Sequence, residues 1–286
     1  MADEKNPFPG ENNTGHIWDD NIREMANPVP RWWMIGFWAS IVWFVGYGIL
    51  YPFIPLANDS TKGILGWTMI GEYQEGVAEL DVVRTQFETQ IEAMTLPEIL
   101  ADDGLSGYAL ASARVLFGDN CAGCHGAGGQ GGPGFPVLAD DDWLYGGTIE
   151  TIKQTITNGR RGMMIAHGST LSEAEIGTLA QHVVDLSQSR TSDSGAQLYR
   201  DKGCFGCHGA DGKGLQILGS ANLTDAIWRF NEADKVAGAA YTIAHGVNDP
   251  RDAGTREAVM PAFGQRLKEN DIKKLAIYVH KLGGGQ

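Results

Sequence analysis

The chain of 286 residues has only four cysteines, and all of them fall in two short motifs, Cys121-x-x-Cys124-His125 and Cys204-x-x-Cys207-His208. None is left over for a disulfide framework, which excludes a small secreted knot. Basic residues are scarce as well. The 22 Lys and Arg against 35 Asp and Glu give a net charge of −13, which argues against a nucleic-acid partner and for a basic one. Proline is sparse, 11 residues against 39 glycines, with no collagen-like period, and a 43% hydrophobic composition marks a folded chain with loop-rich parts. Long apolar runs are missing apart from one, so no multi-helix membrane bundle is encoded.

That single run extends from Trp32 to Tyr51 without a charge and, at a rise of about 1.5 Å per residue, reaches the ~30 Å of a bilayer core. Trp32 and Trp33 at one end and Tyr47 and Tyr51 at the other form interfacial belts, and Pro52 and Pro55 stop the helix beyond them. A cleaved signal peptide would have a shorter apolar core and a small-x-small site, which is not found around Pro55 to Ala57, so residues 32–55 read as an uncleaved anchor. Arg23 and Arg31 before the run, against Lys62 alone after it, place residues 1–31 in the cytoplasm and residues 56–286 on the other side of the membrane. Gly36, Ser40, Trp43 and Tyr47 share a helical face that a second transmembrane helix could approach closely; small residues facing lipid are the equal alternative.

Residues 56–104 read as an acidic helical linker. Within them Leu80, Val83, Phe87, Ile91 and Met94 keep helical spacing, predicting an amphipathic helix that ends before Pro97 and packs its apolar face on neighbouring protein. The rest is written twice, as residues 105–190 and 191–286, on either side of a Ser/Thr-rich joint. The two cysteine motifs answer each other; Leu138-Ala-Asp140 with Trp143 answers Leu223-Thr-Asp225 with Trp228; and Leu179-Ala-x-x-Val183 answers Leu275-Ala-x-x-Val279. The offset grows from 83 at the cysteines to 96 at the last helix, and the thirteen extra residues are placed in the polar run Asn248 to Glu257. Each copy opens with a helix (Tyr108 to Asp119; Gly195 to Lys202) and closes with one (Ser172 to Ser187; Asn270 to Leu282). Ser172 with Glu175 makes a capping box, Asn270 is the expected N-cap of the last helix, and the Gly-rich middles read as loop.

C-x-x-C-H is the attachment pattern of c-type haem: two thiols on one side of a helical turn add to the vinyl groups, and the adjacent His becomes the proximal ligand. A zinc ribbon would need its two knuckles about 15–20 residues apart; here 79 residues separate Cys124 from Cys204. Two haems c, on Cys121, Cys124 and His125 and on Cys204, Cys207 and His208, would also supply the core that such short all-α modules lack. Each haem needs a sixth ligand from downstream. Met260-Pro-Ala-Phe is the candidate in the second copy and is assigned to the second haem. In the first copy Met164 lies seven residues before Leu171, as Met260 lies seven before Leu267, and is assigned to the first haem, with Met163 and His167 as rivals. His16, His182, His245 and His280 read as structural or solvent-facing. Arg160 and Arg161 are candidates for pairing with haem propionates, an exposed basic turn being the alternative.

Thr14-Gly-His-Ile-Trp18-Asp-Asp20 followed by Asn27-Pro-Val-Pro-Arg31-Trp-Trp33, with Gly134-Phe-Pro136 and Asp142-Trp-Leu-Tyr-Gly-Gly147 further on, resembles the dihaem cytochrome c subunit, subunit III, of bacterial cbb3-type cytochrome c oxidases. The resemblance implies an all-α chain with one N-terminal transmembrane helix and two tandem class I cytochrome c-like domains. It further implies a respiratory electron-transfer subunit that takes electrons from a soluble or membrane cytochrome c. These pass to a monohaem cytochrome c subunit and then to a catalytic subunit with b-type haems and copper, an oxidase that also transports protons. No catalytic residue is expected in this chain, which alone does not reduce oxygen. The net charge of −10 on residues 58–286 would steer a basic donor. The alternatives are an anchored dihaem shuttle, a cytochrome subunit of a dehydrogenase, and, in a third class, a dihaem peroxidase.

Overall fold

The computed structural model describes residues 8, 10–19, 21–230 and 232–285. Asp20 of the N-terminal signature, the residues before Phe8, and Gln286 lie outside them. Eleven helices and one β-hairpin make up the described residues, and they fall into two compact units, residues 1–83 and 84–286.

In the first unit the signature forms a hairpin that the helical expectation did not contain. Strand β1 (Asn13–Trp18) pairs antiparallel with β2 (Ile22–Met25), and Asp19 takes the turn with a positive φ of 46°. Helix α1 (Arg31–Leu50) follows, one residue ahead of the expected span. It is the one helix among the described residues long and apolar enough to cross a membrane, and none of its residues is buried. Gly36 and Ser40 lie in a shallow groove on its surface with Trp32, Trp33 and Phe37. Tyr51 breaks to extended backbone ahead of Pro52.

Helix α2 (Met69–Ala93) carries the chain into the second unit, where its last turns dock. Ile91 is fully buried, and Phe87 and Met94 pack against the same core. The helices that follow are α3 (Leu96–Ala101), α4 (Asp103–Asn120), α5 (Ala122–His125), α6 (Ile149–Asn158), α7 (Glu173–Ser187), α8 (Asp193–Asp201), α9 (Phe205–His208), α10 (Lys235–His245) and α11 (Glu269–His280). Pro97 sits in the first turn of α3, where its missing N–H costs nothing, under a capping box of Thr95 and Glu98. The N-cap of α11 is Lys268 rather than Asn270. Asn270 instead turns its amide to Glu88, donating to the backbone carbonyl at 3.0 Å and to the carboxylate at 2.9 Å. Glu88 also accepts from Tyr108 and from the buried Lys274, each at 2.7 Å, while the Lys273 ammonium caps the carbonyls of Ile91, Glu92 and Met94 at the end of α2. A lysine at a helix C-terminus satisfies orphan carbonyls and opposes the negative end of the dipole.

The middle helices α6 and α10 replace the expected loops. Thr148 and Asp234 cap their first turns, and Ile149, Ile152 and Ile156 of α6 are buried on one face. They also locate the insertion. Their N-caps, Thr148 and Asp234, differ by 86 and the glycines that end them, Gly159 and Gly246, by 87, so three of the thirteen extra residues precede the middle helix, one lengthens it, and nine follow it, between Gly246 and Met260.

The packing does not follow the sequential division at residue 190. One core joins α3, α4 and α6 to α11, the closing helix of the other copy, through Ala109, Ala113, Phe117, Ile152, Ile156, Ile272, Leu275 and Val279. The other joins α8 and α10 to α7 through Leu171, Ile176, Leu179, Tyr199 and Ile243. The closing helices are exchanged between the copies. The reason lies in chain length. The joint from α7 to α8 is only five residues, so these two helices are held as neighbours. The Trp143 indole then donates to the Gly284 carbonyl at 2.6 Å, and His182 of α7 sits edge-on to Tyr199 of α8.

The crossing of α7 and α8 leaves no room at Gly195, where a Cβ would lie 2.4 Å from the Cβ of His182; at Gly177 of α7 it would meet nothing within 4 Å. Gly195→Ala is therefore expected to lose about 1–3 kcal/mol in denaturant unfolding, whereas Gly177→Ala gains up to about 1 kcal/mol. Equal effects of the two would contradict the crossing.

Candidate haem-binding sites

Both cysteine motifs fold as a single helical turn. Cys121 ends α4 and begins α5; the His125 N–H returns to the Cys121 carbonyl at 2.9 Å, and the His208 N–H to that of Cys204 at 3.0 Å. Gly126 (φ 75°) and Gly209 (φ 80°) stop the turns in a conformation that favours glycine. In each pair the first sulfur is half-buried and the second exposed, and none is in a disulfide. Burial and the neighbouring Cys124 push the Cys121 thiol up to about 11, and burial raises Cys204. Both first sulfurs are thus held as apolar thiols.

The histidines carry the geometry that decides the chemistry. The His125 Nδ1 lies 3.0 Å from the Pro136 carbonyl, and the His208 Nδ1 lies 3.0 Å from the Ala221 carbonyl. A carbonyl only accepts, so each Nδ1 carries the proton and each Nε2 keeps its lone pair free for a metal. Burial lowers both imidazole pKa values, which favours the neutral form that coordinates. Two thiols and an oriented imidazole on one turn fit haem c.

The methionines are exchanged together with the helices that follow them. Met260 packs on the core that contains Cys121, and Met164 on the core that contains Cys204. Repeat order assigns Met164 to the first motif and Met260 to the second, whereas the packing sets each methionine beside the core of the other motif. The backbone shows why. The Arg160 N–H donates to the Met260 carbonyl at 3.0 Å and the Met260 N–H returns to Arg160 at 2.9 Å; Met164 and Val247 make the matching pair, both bonds at 2.9 Å. A Cβ on Gly159 would stand 2.4 Å from the Met260 carbonyl oxygen, and one on Gly246 would stand 2.3 Å from that of Met164. Each middle helix therefore ends against the methionine loop of the other copy. Met163 is 62% exposed, whereas Met164 is half-buried against its core. His167 occupies the repeat position of Phe263: their N–H groups donate to Ile243 and Ile156, both at 3.0 Å.

Three family descriptions match the chain: the N-terminal domain of cytochrome oxidase cbb3, FixP, over residues 10–58; cbb3-type cytochrome c oxidase subunit III over residues 109–183; and cytochrome c over residues 192–283. The cbb3-type cytochrome c oxidase subunit FixP of Azorhizobium caulinodans is 44% identical over 97% of this chain and 94% of its own length. FixP of a Bradyrhizobium species is 39% identical over the whole of both chains. The chain belongs to the subunit III family of cbb3-type cytochrome c oxidases. CcoP of Cereibacter sphaeroides, at 37% identity over 97% of each chain, is a relative outside the rhizobial group of names. The cytochrome c domains of this family imply covalent haem c, which the two cysteine pairs fit.

The other sequence candidates have settled into structure. The Arg160 guanidinium lies 4.6 Å from the centre of the Tyr145 ring and donates to Thr155 at 2.9 Å, while Arg161 is exposed. His245 is 3.0 Å from the Asp252 carboxylate, and His16 is 3.6 Å from that of Glu24. Arg229 was missed: it is half-buried, its Nε has no hydrogen-bond partner, and burial lowers its pKa against the pull of Tyr145 and Asp142. The available signal was a charged residue directly after Trp228, where the first copy has Leu144 after Trp143.

Asp142 faces Asp225, Asp140 and Asp141, and burial with these neighbours raises its pKa to about 6. An unfolded aspartate titrates near ~3.9. The folded state then binds the extra proton between these values, so this contribution to stability is full below the lower one and is lost as pH rises through about 6. Asp142→Asn should flatten that part of the profile in denaturant titrations at pH 4–7, and an unaltered slope would show that Asp142 does not cause it.

Proposed function

We propose that this chain is the subunit through which electrons reach a cbb3-type oxidase: it accepts them from a cytochrome c donor and passes them over two haems c toward the oxygen-reducing partner. The observation that carries the reading is the paired site, in which each cysteine turn holds an imidazole by a backbone carbonyl and shares a core with one half-buried methionine. Cys121 and Cys124 with His125 and Met260 hold one haem, and Cys204 and Cys207 with His208 and Met164 hold the other. The bound group supplies one-electron chemistry at iron. His125 with Met260 and His208 with Met164 would hold the iron of each group, and such His/Met ligation would leave no site for oxygen and raise the potential. The Pro136 and Ala221 carbonyls fix the tautomer and direction of each imidazole.

Helix α1 anchors the chain in the inner membrane, with residues 1–31 cytoplasmic and both haem modules in the periplasm. The arginines ahead of α1 and the periplasmic side of haem c attachment support this orientation. The partners are the catalytic b-haem and copper subunit, a monohaem cytochrome c subunit, and a basic donor drawn by the acidic periplasmic part. The name shared by the relatives, which cover nearly the whole chain, supports the complex.

Co-purification with a b-haem and copper subunit tests the assignment, and recovery of the chain alone from solubilised membranes would favour a free shuttle. Reduction by a basic cytochrome c should slow as salt rises, because charges separated by more than about 10 Å are screened at 0.1 M. Ligation is tested in chains that carry one haem. With Cys204 and Cys207 replaced by serine, Met260→Leu should turn the remaining haem high-spin or lower its potential, and Met164→Leu should leave it unchanged. The opposite result would restore pairing by repeat order. A reporter fused after Gln286 should work only if it is active in the periplasm.

A further inference from the structure

The nine residues that lengthen the second copy after Gly246 do more than close a loop. Asn248 is 5% exposed and adopts a left-handed backbone with φ 52°, a conformation that asparagine tolerates better than most side chains. Its amide nitrogen donates to two carbonyls, Gly162 at 2.6 Å and Ala258 at 2.9 Å, and its amide oxygen accepts the Ala258 N–H at 3.0 Å. Gly162 stands two residues before Met164, and Ala258 two residues before Met260. One planar side chain therefore holds both methionine loops at the same relative position. Its neighbours hold the Met164 loop at two further points. Val247 pairs with Met164 itself, and the fully buried Asp249 accepts the Ala166 N–H at 2.8 Å, two residues beyond Met164. Arg251 closes on the Asp249 carboxylate at 2.9 and 2.7 Å and keeps it in place.

We propose that Asn248 is a shared positioning residue for the two sixth ligands, so that loosening this one amide weakens methionine ligation at both haems. The proposal rests on the reading of Met164 and Met260 as haem ligands. Only an amide makes this contact set: a carboxylate of the same shape cannot donate to two carbonyls, and glycine keeps the left-handed backbone but removes the side chain. Asp249 touches the Met164 loop alone, so its effect should be confined to that haem.

The test uses the full chain with both haems, in Met164→Leu and Met260→Leu backgrounds, so that the methionine–iron charge-transfer band of a single haem is read each time. Imidazole is the competing ligand. Asn248→Asp should lower the imidazole concentration for half-displacement about tenfold in both backgrounds. Asn248→Gly should shift it in the same direction, and Asp249→Asn only where Met164 is the reporter. A shift in one background alone, or in neither, overturns the proposal. So does a loss of both bands that occurs only together with the helical circular dichroism, since that is unfolding rather than positioning. If Met164→Leu and Met260→Leu leave both charge-transfer bands in place, the ligand reading itself fails, and this outcome is visible before Asn248 is touched.

Discussion

Everything in the haem-binding unit depends on two short backbone contacts, Arg160 with Met260 and Val247 with Met164. Each lies at the end of a middle helix, where a glycine turns the chain and allows a carbonyl to approach closer than any Cβ would permit. These contacts set each methionine loop against the end of the other copy's middle helix. The closing helices then follow their loops into the opposite core. Hydrogen bonds of this kind are each worth about 1 kcal/mol net. Their weight here comes from placement at the crossover rather than from strength.

The docked end of α2 shows a second use of polar groups in an apolar setting. Lys274 is 5% exposed yet lies between Glu88 and Asp271, so its charge is compensated on both sides. Lys273 and Asn270 tie the same helix to the end of α2. The helix that completes the Cys121 core is thereby the helix that receives the end of α2. Binding of the first module and attachment of the linker are one packing problem.

Much of this was legible in the chain. The apolar run, the two cysteine turns, the closing helices with the Ser172 capping box, and the apolar positions Phe87, Ile91 and Met94 of the linker all carry local signals. Leu80 and Val83, on the same stripe, are exposed, because the stripe is longer than the surface it meets. The β-hairpin escaped because Asn13–Trp18 has no clear alternation of apolar and polar residues. Helices α6 and α10 escaped because glycine-rich flanks outweighed the caps at Thr148 and Asp234. The exchange of methionines could not be read from spacing: repeat alignment shows which residues are equivalent, and equivalence is preserved when two identical elements trade places. Only contacts between residues ~100 apart distinguish the two arrangements.

The exchange makes the second module an insertion within the first. Its parts run continuously from the Met164 loop through α7, the Cys204 turn and α10, whereas the first module is split between residues before Gly159 and residues after Val259. As the chain emerges from its N-terminus, the site that begins first is the one that finishes last. The Cys121 turn comes early in the chain, and the core it packs on is completed only by the Met260 loop and α11, whereas the core beside the Cys204 turn is complete once α10 is in place. The order in which the two cores can close therefore runs against the order in which their cysteine turns appear, and the core that closes last is the one that carries the end of α2.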